Sequence, residues 1–179
     1  MTALSKAVRW AVVAAGVVLL GWGLWPSPRR TYTADVGEMR LAFSVPTVVH
    51  VGGAPRAQLS ILPLATPAAG RASGSAQHLQ QLVARLTFNG VNVTPAGEVS
   101  LTVRRSAPAR FTWRLHALAA GSYLGSLWVY QVFPDGSRMA RLTYPLHLRV
   151  GAFLGLSAPQ ARLLGLFALL MGGLLVLVL

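Results

Sequence analysis

Four histidines and four carboxylates are the residues of this chain able to ligate a metal or move a proton: His50, His78, His116 and His147, with Asp35, Glu38, Glu98 and Asp135. A protein metal site gathers several such ligands, often two of them a helical turn apart. Here the histidines lie in separate segments, and no pair has ligand spacing. The fold would have to converge them, so solvated or hydrogen-bonded histidines are the simpler expectation. Cysteine is absent, which excludes a thiol nucleophile, a disulfide framework and a Cys-ligated metal. There is no G-x-S-x-G, P-loop or H-E-x-x-H pattern. Gly52-Gly53 lacks the further glycines and the Lys of a phosphate loop and reads as a turn. Asn92-Val93-Thr94 fits a glycosylation sequon, a short pattern that chance supplies often. No catalytic, metal-ligating or cofactor-binding residue is assigned. A lipid- or glycan-acting enzyme using Asp35, Glu38 or Asp135 beside a His is the weakest expectation.

Basic and aromatic side chains are better candidates, as binding groups. The 179 residues carry a formal net charge of +12, yet 54% are hydrophobic and only 11% charged. That mixture excludes a disordered basic tail. Residues 31–150 hold Arg40, Arg56, Arg71, Arg85, Arg104, Arg105, Arg110, Arg114, Arg138, Arg141 and Arg149 against four carboxylates. Arginine suits bidentate contact with carboxylate or phosphate. Arg110 and Arg114, and likewise Arg141 and Arg149, alternate with apolar residues, so they are expected on a face turned away from the core. Such a face is a candidate for a protein partner or for anionic lipid headgroups. Nucleic acid is not expected, because interleaved aromatics for base stacking are few. In Leu124–Phe133 both parities are apolar: Leu127 and Val129 on one side, Leu124, Trp128, Tyr130 and Val132 on the other. Either Trp128 and Tyr130 lie on a covered outer surface, or a bulge near Gly125 or Gln131 switches the parity.

The elements that position these groups follow from periodicity. Period-two alternation predicts strands at Gln81–Phe88, Arg110–Ala117 and Arg138–Val150, with Ala140, Leu142, Tyr144, Leu146, Leu148 and Val150 on one face of the last. Met39–Val45, Ala57–Leu62, Val99–Arg104 and Leu124–Phe133 are further strands. Pro145 requires an edge position or a bulge. Turns are expected at Asn89-Gly90, Pro95-Ala96-Gly97, Ser106-Ala107-Pro108 and Pro134-Asp135-Gly136-Ser137, and a loop at Thr66–Ser75. Seven or so strands in this length predict an antiparallel sandwich.

Two apolar runs flank it. Nineteen uncharged residues lie between Arg9 and Arg29, and seventeen follow Arg162. Ser157-Ala158-Pro159 reads as a helix start. Both runs reach the roughly 17–25 residues a membrane span needs. Trp10, Trp22 and Trp25 suit the interface, and Pro26 and Pro28 end the first run. With no small-x-small cleavage site after it, the first run is expected to be a retained anchor. Small residues in register, Ala7, Ala11 and Ala15, then Gly165, Ala168 and Gly172, are expected to pack helix against helix. The organisation predicted is a tail and first span over residues 1–28, a sandwich over 29–150, and a linker and second span over 151–179. Arg29–Thr33 and Gly151–Leu156 serve as short tethers.

Leu118-Ala119-Ala120-Gly121-Ser122-Tyr123, the strand after it, the hairpin and the closing strand Leu146-His147-Leu148-Arg149-Val150 together resemble bacterial extracytoplasmic immunoglobulin-like and fibronectin-like domains. The resemblance implies that the Tyr123 hydroxyl ties back to nearby backbone as a tyrosine corner, and that Trp113 is a core tryptophan. It implies a fold and no function.

These features together lead to an expected non-catalytic accessory subunit of a larger bacterial inner-membrane complex, of respiratory or photosynthetic type. It crosses twice, has its sandwich outside the cytoplasm, binds no cofactor, and has other membrane subunits and lipid as partners. The rival expectation is an anchored adaptor that pairs a sheet edge with a transient client.

Overall fold

The computed structural model describes residues 3–37, 39–64, 79–104 and 108–178. Glu38, Arg71, Arg105 and His78, the expected loop at Thr66–Ser75 and the Ser106-Ala107 turn lie outside them. Helix α1 spans Ala3–Leu24 and α2 Ala158–Val178, with ten described strands between. One sheet, here sheet A, has the order β1 (Arg29–Val36), β2 (Met39–Pro46), β4 (Arg56–Pro63), β8 (Ala109–Ala117), β6 (Val91–Thr94). Sheet B has the order β3 (Val48–His50), β10 (Arg138–Gly151), β9 (Gly121–Val132), β5 (Leu79–Phe88), β7 (Glu98–Arg104).

The inner faces supply one hydrophobic core. In β8 Phe111, Trp113 and Leu115 are buried, while Arg110, Thr112 and Arg114 between them are exposed. This clean alternation marks a sheet with one face on the core. Trp113 is fully buried and lies nearly parallel to Phe111, with ring centroids 5.9 Å apart. Leu82, Leu86, Leu127 and Leu148 meet these side chains from sheet B. Gly125 must be glycine, because a Cβ there would strike both the Phe88 ring and the Thr87 carbonyl. Tyr123 Oη donates to the Ala119 carbonyl at 2.9 Å, so the expected corner is present.

Four expectations need correction. Arg29–Thr33 is no tether: it opens β1, which pairs along its whole length with β2. The sandwich is not wholly antiparallel, since β3 runs parallel to the end of β10. Pro46 cannot donate to a ladder, and the chain leaves sheet A there, with Thr47 accepting from Arg149 N at 3.1 Å. The parity of β9 does not switch, because its register with β5 is unbroken. The bulge lies instead in β10, where Arg141 is the extra residue between Ala140 and Leu142. It turns Ala140 away from the core, and Ala140 is exposed. Pro145 lies where β10 has β9 on one side, since β3 covers only Arg149–Gly151.

Candidate functional site

The two helices form an antiparallel hairpin, and its seam is built from small residues seven apart. Gly16 and Gly23 of α1 are buried, as are Ala158, Gly165 and Gly172 of α2. A Cβ on Gly165 would lie 2.9 Å from Leu20 N and 3.0 Å from the Gly16 carbonyl. One on Gly172 would lie 2.7 Å from Val13 Cγ2. A repeat of seven keeps one face of each helix against its neighbour. Of the small residues singled out in the sequence, Gly165 and Gly172 line this seam and Ala168 is half-buried beside it. Ala7, Ala11 and Ala15 are exposed and point away from α2. Both helices are long and apolar enough to cross a membrane.

The hairpin is bonded to the sandwich. Ser157 opens α2, its N–H and hydroxyl each 2.9 Å from Gln160 Oε1. This is a capping box with Gln at the third helical position. The next amide, Ala158 N, donates to the Val51 carbonyl at 3.0 Å. Arg162 Nε donates to the Gly23 carbonyl at 2.7 Å. A guanidinium from α2 thus satisfies an orphan carbonyl at the C-terminus of α1, where the helix dipole favours positive charge. Trp22 of α1 lies edge-on to His50, centroids 4.6 Å apart, and 5.4 Å from Phe153. These contacts hold the end of α1, the end of β3 and the start of α2 together.

The candidate partner residues fall on two opposite faces. On the outer face of sheet B, Trp128 and Tyr130 are half-buried and stacked within 3° of parallel. Trp128 Nε1 donates to Ser126 Oγ at 2.8 Å. Tyr130 is the register partner of Val83, which is only 4% exposed although it alternates with the core residues Leu82 and Ala84. The aromatic rows therefore cover part of this face from within the chain. Arg149 shares the face and is exposed. Arg141, at the bulge, donates from Nε to Gln131 Oε1 at 2.8 Å. Arg110 and Arg114 lie on the outer face of sheet A, across the core from the others.

The described carboxylates are engaged locally. Asp35 takes a two-pronged bond from Arg40, Nε–Oδ1 2.8 Å and Nη2–Oδ2 3.1 Å. That hydrogen bond, then the charge of Arg40, holds its carboxyl below the usual range. Asp135 closes the β9–β10 hairpin through the Ser137 hydroxyl and amide, which lower its pKa in that order. Glu98 pairs with Arg138 at 2.9 Å. Among the described residues no three His, Asp or Glu converge into a metal-sized group. A small cavity of about 40 Å³ opens between the sheets beneath Tyr32 and Tyr144 and is lined mainly by apolar side chains.

Sequence reasoning missed Gly16, Gly23 and Arg162 as the hairpin's joints, although the seven-residue spacing of small residues was legible.

No family model matches the chain, and no curated protein does. Solved structures show partial likenesses to the chain. Alpha-2-macroglobulin of E. coli matches at TM-score 0.47 and 14% identity, over 64% of this chain and 7% of that one. The chain thus corresponds to a small part of that protein's length. The complex of zinc 2-glycoprotein and prolactin inducible protein from human seminal plasma matches at TM-score 0.44 and 10% identity, over 69% and 93%. The CARDB domain of a Pyrococcus furiosus protein, in complex with di-metal ions, matches at TM-score 0.37 and 9% identity, over 72% and 98%.

Proposed function

We propose that this chain is a non-catalytic structural subunit of a larger assembly in a bacterial inner membrane. Its two helices cross the bilayer, its sandwich braces the extracytoplasmic face, and its uncovered helix faces dock against neighbouring spans. Respiratory complexes and photosynthetic reaction centres with their light-harvesting rings are hosts of this type. The observation that carries the reading is the joint between hairpin and sandwich. Ala158 to Val51 and Trp22 against His50 seat the helix ends directly on the sandwich. A domain held this way cannot reach far to find a client, but it can hold a fixed place beside other spans. The alanines of α1 are turned away from α2 and offer a face on which a further helix can approach closely.

The adaptor reading would use the open side of β10. Pro145, with no N–H, and the bulge at Arg141 blunt that edge against strand addition. The test is extraction of the native chain in mild detergent, with native mass measurement of what co-migrates. A fixed-ratio complex is the expected result. A free monomer of 19.0 kDa would contradict the proposal.

A further inference from the structure

The outer face of sheet A is unbalanced in charge at the end from which the helices emerge. Its strands turn five arginines, Arg29, Arg40, Arg56, Arg110 and Arg114, and one carboxylate, Asp35, to that face. Asp35 sits at the far end of β1 and is occupied by Arg40. At the near end Arg56 of β4 stands directly opposite Arg114 of β8, both exposed. Like charges in direct cross-strand register repel each other. A third guanidinium joins them. Arg29 is the register partner of Pro46, and its Nη2 donates to the Arg56 carbonyl on the strand beyond. It therefore crosses β2, where Pro46 is fully buried. Arg29, Arg56 and Arg114 form one row, and the described ion pairs, Asp35–Arg40 and Glu98–Arg138, involve none of them.

The row lies close to the helix ends. Arg29 is separated from α1 only by residues 25–28. Arg114 is three residues short of Ala117, whose carbonyl accepts from Gly52 N at 3.2 Å. Gly52 in turn faces Ser157 and Pro159 at the start of α2. At about 3.3 Å per residue the row stands about 10 Å from the end of β8. A headgroup layer is roughly 5–8 Å deep, and the arginine side chains span the remainder.

The same end exposes large apolar groups. Trp25 is 67% exposed, Leu118 70% and Leu154 84%. Leu154 occupies the tip of the Phe153–Leu156 turn with φ +52°, a left-handed conformation that a leucine seldom adopts. A tryptophan and projecting leucines suit the boundary between headgroups and acyl chains.

We propose that Arg29, Arg56 and Arg114 bind the phosphate of an anionic lipid headgroup, with Trp25, Leu118 and Leu154 seated in the interface beside it. The lipid phosphate screens the Arg56–Arg114 repulsion and fixes the sandwich against the bilayer surface. The proposal rests on the reading that the two helices cross a membrane.

The full-length chain is tested in nanodiscs of phosphatidylcholine, with and without phosphatidylglycerol, by thermal unfolding and by native mass of retained lipid. The wild type is expected to retain phosphatidylglycerol about tenfold over phosphatidylcholine, since basic side chains near the surface attract anionic headgroups. It is also expected to melt higher when phosphatidylglycerol is present. Arg56→Gln with Arg114→Gln removes both effects. In pure phosphatidylcholine this double variant melts no lower than wild type, because a repulsion has gone; a lower melting point there would make the pair structural and overturn the proposal. Arg110→Gln, on the same strand and face, keeps the preference. Equal retention of both lipids by wild type, or the same loss in Arg110→Gln, would also overturn it. So would inorganic phosphate reproducing the shift in phosphatidylcholine discs, which would assign a soluble anion. Resistance of the chain to alkaline carbonate extraction from membranes is scored separately. A washed-off chain refutes the crossing helices; a retained chain without lipid preference refutes the arginine row alone.

Discussion

Helix α1 carries two stripes of small residues, and only one of them meets α2. Ala7, Ala11 and Ala15 recur every fourth residue and are exposed, while Gly16 and Gly23 recur after seven and are buried. The difference lies in the partner. Ala158, Gly165 and Gly172 of α2 also recur every seventh residue, so their contacts stay aligned along the hairpin. A repeat of four advances round the helix and leaves such a seam within two turns. Small residues permit close approach, but matched spacing on both helices decides where it occurs. The glycine stripe is thereby consumed in holding the hairpin together, and the alanine stripe stays exposed.

The largest expected effect comes from breaking the glycine stripe. Gly165→Leu drives a side chain into the backbone of α1 and is expected to cost about 3 kcal/mol or more, read from thermal unfolding in detergent. Gly173→Leu, where a Cβ would meet nothing within 4 Å, is expected to leave stability unchanged. Equal effects would mean that the seam does not hold the hairpin.

Next comes the joint at the top of that seam. Arg162→Met retains most of the aliphatic stem but removes the bond to the Gly23 carbonyl. A loss of about 1–2 kcal/mol is expected, because the acceptor is left without its charged donor at a helix C-terminus. Hydrogen exchange should quicken in the last turn of α1 more than in the middle of the sandwich.

The sandwich offers a smaller contrast. Tyr123→Phe deletes one hydroxyl bonded to the Ala119 carbonyl and is expected to cost about 1 kcal/mol in urea unfolding of the full chain. The smallest effect is a pH dependence. The folded-state pKa of Asp35 is depressed by its hydrogen bond from Arg40 and then by that residue's charge. Its contribution is present above the ordinary carboxylate value of 3.8 and fades as pH falls below it. Asp35→Asn should flatten that part of the acid limb slightly, since an exposed pair is worth little.

Much of this arrangement was legible in the sequence where alternation ran long enough. β2, β4, β5 and β7–β10 all fall on runs read as strands, because a half-buried sheet imposes period two. Three strands escaped. Tyr32, Ala34 and Val36 alternate with Thr31, Thr33 and Asp35, yet the run follows α1 so closely that it reads as a tether. β3 has three residues and β6 four, too few for periodicity to register. The bulge at Arg141 was hidden because Ala140 is small enough to fit either face. The six candidate partner residues illustrate a harder limit. Alternation tells which residues leave the core, but both sheets have an outer face, and only the strand order divides Arg110 and Arg114 from Trp128 and Tyr130.

The most direct test of the membrane-subunit account is one extraction performed on two proteins. Wild type and Ala11→Leu with Ala15→Leu are taken into mild detergent from native membranes, and the mass of the particle containing each is measured. The account predicts that wild type is found in a large complex at fixed ratio. It predicts that the double variant, with an unchanged melting temperature, is released from that complex. Both proteins running as the same free monomer would contradict it.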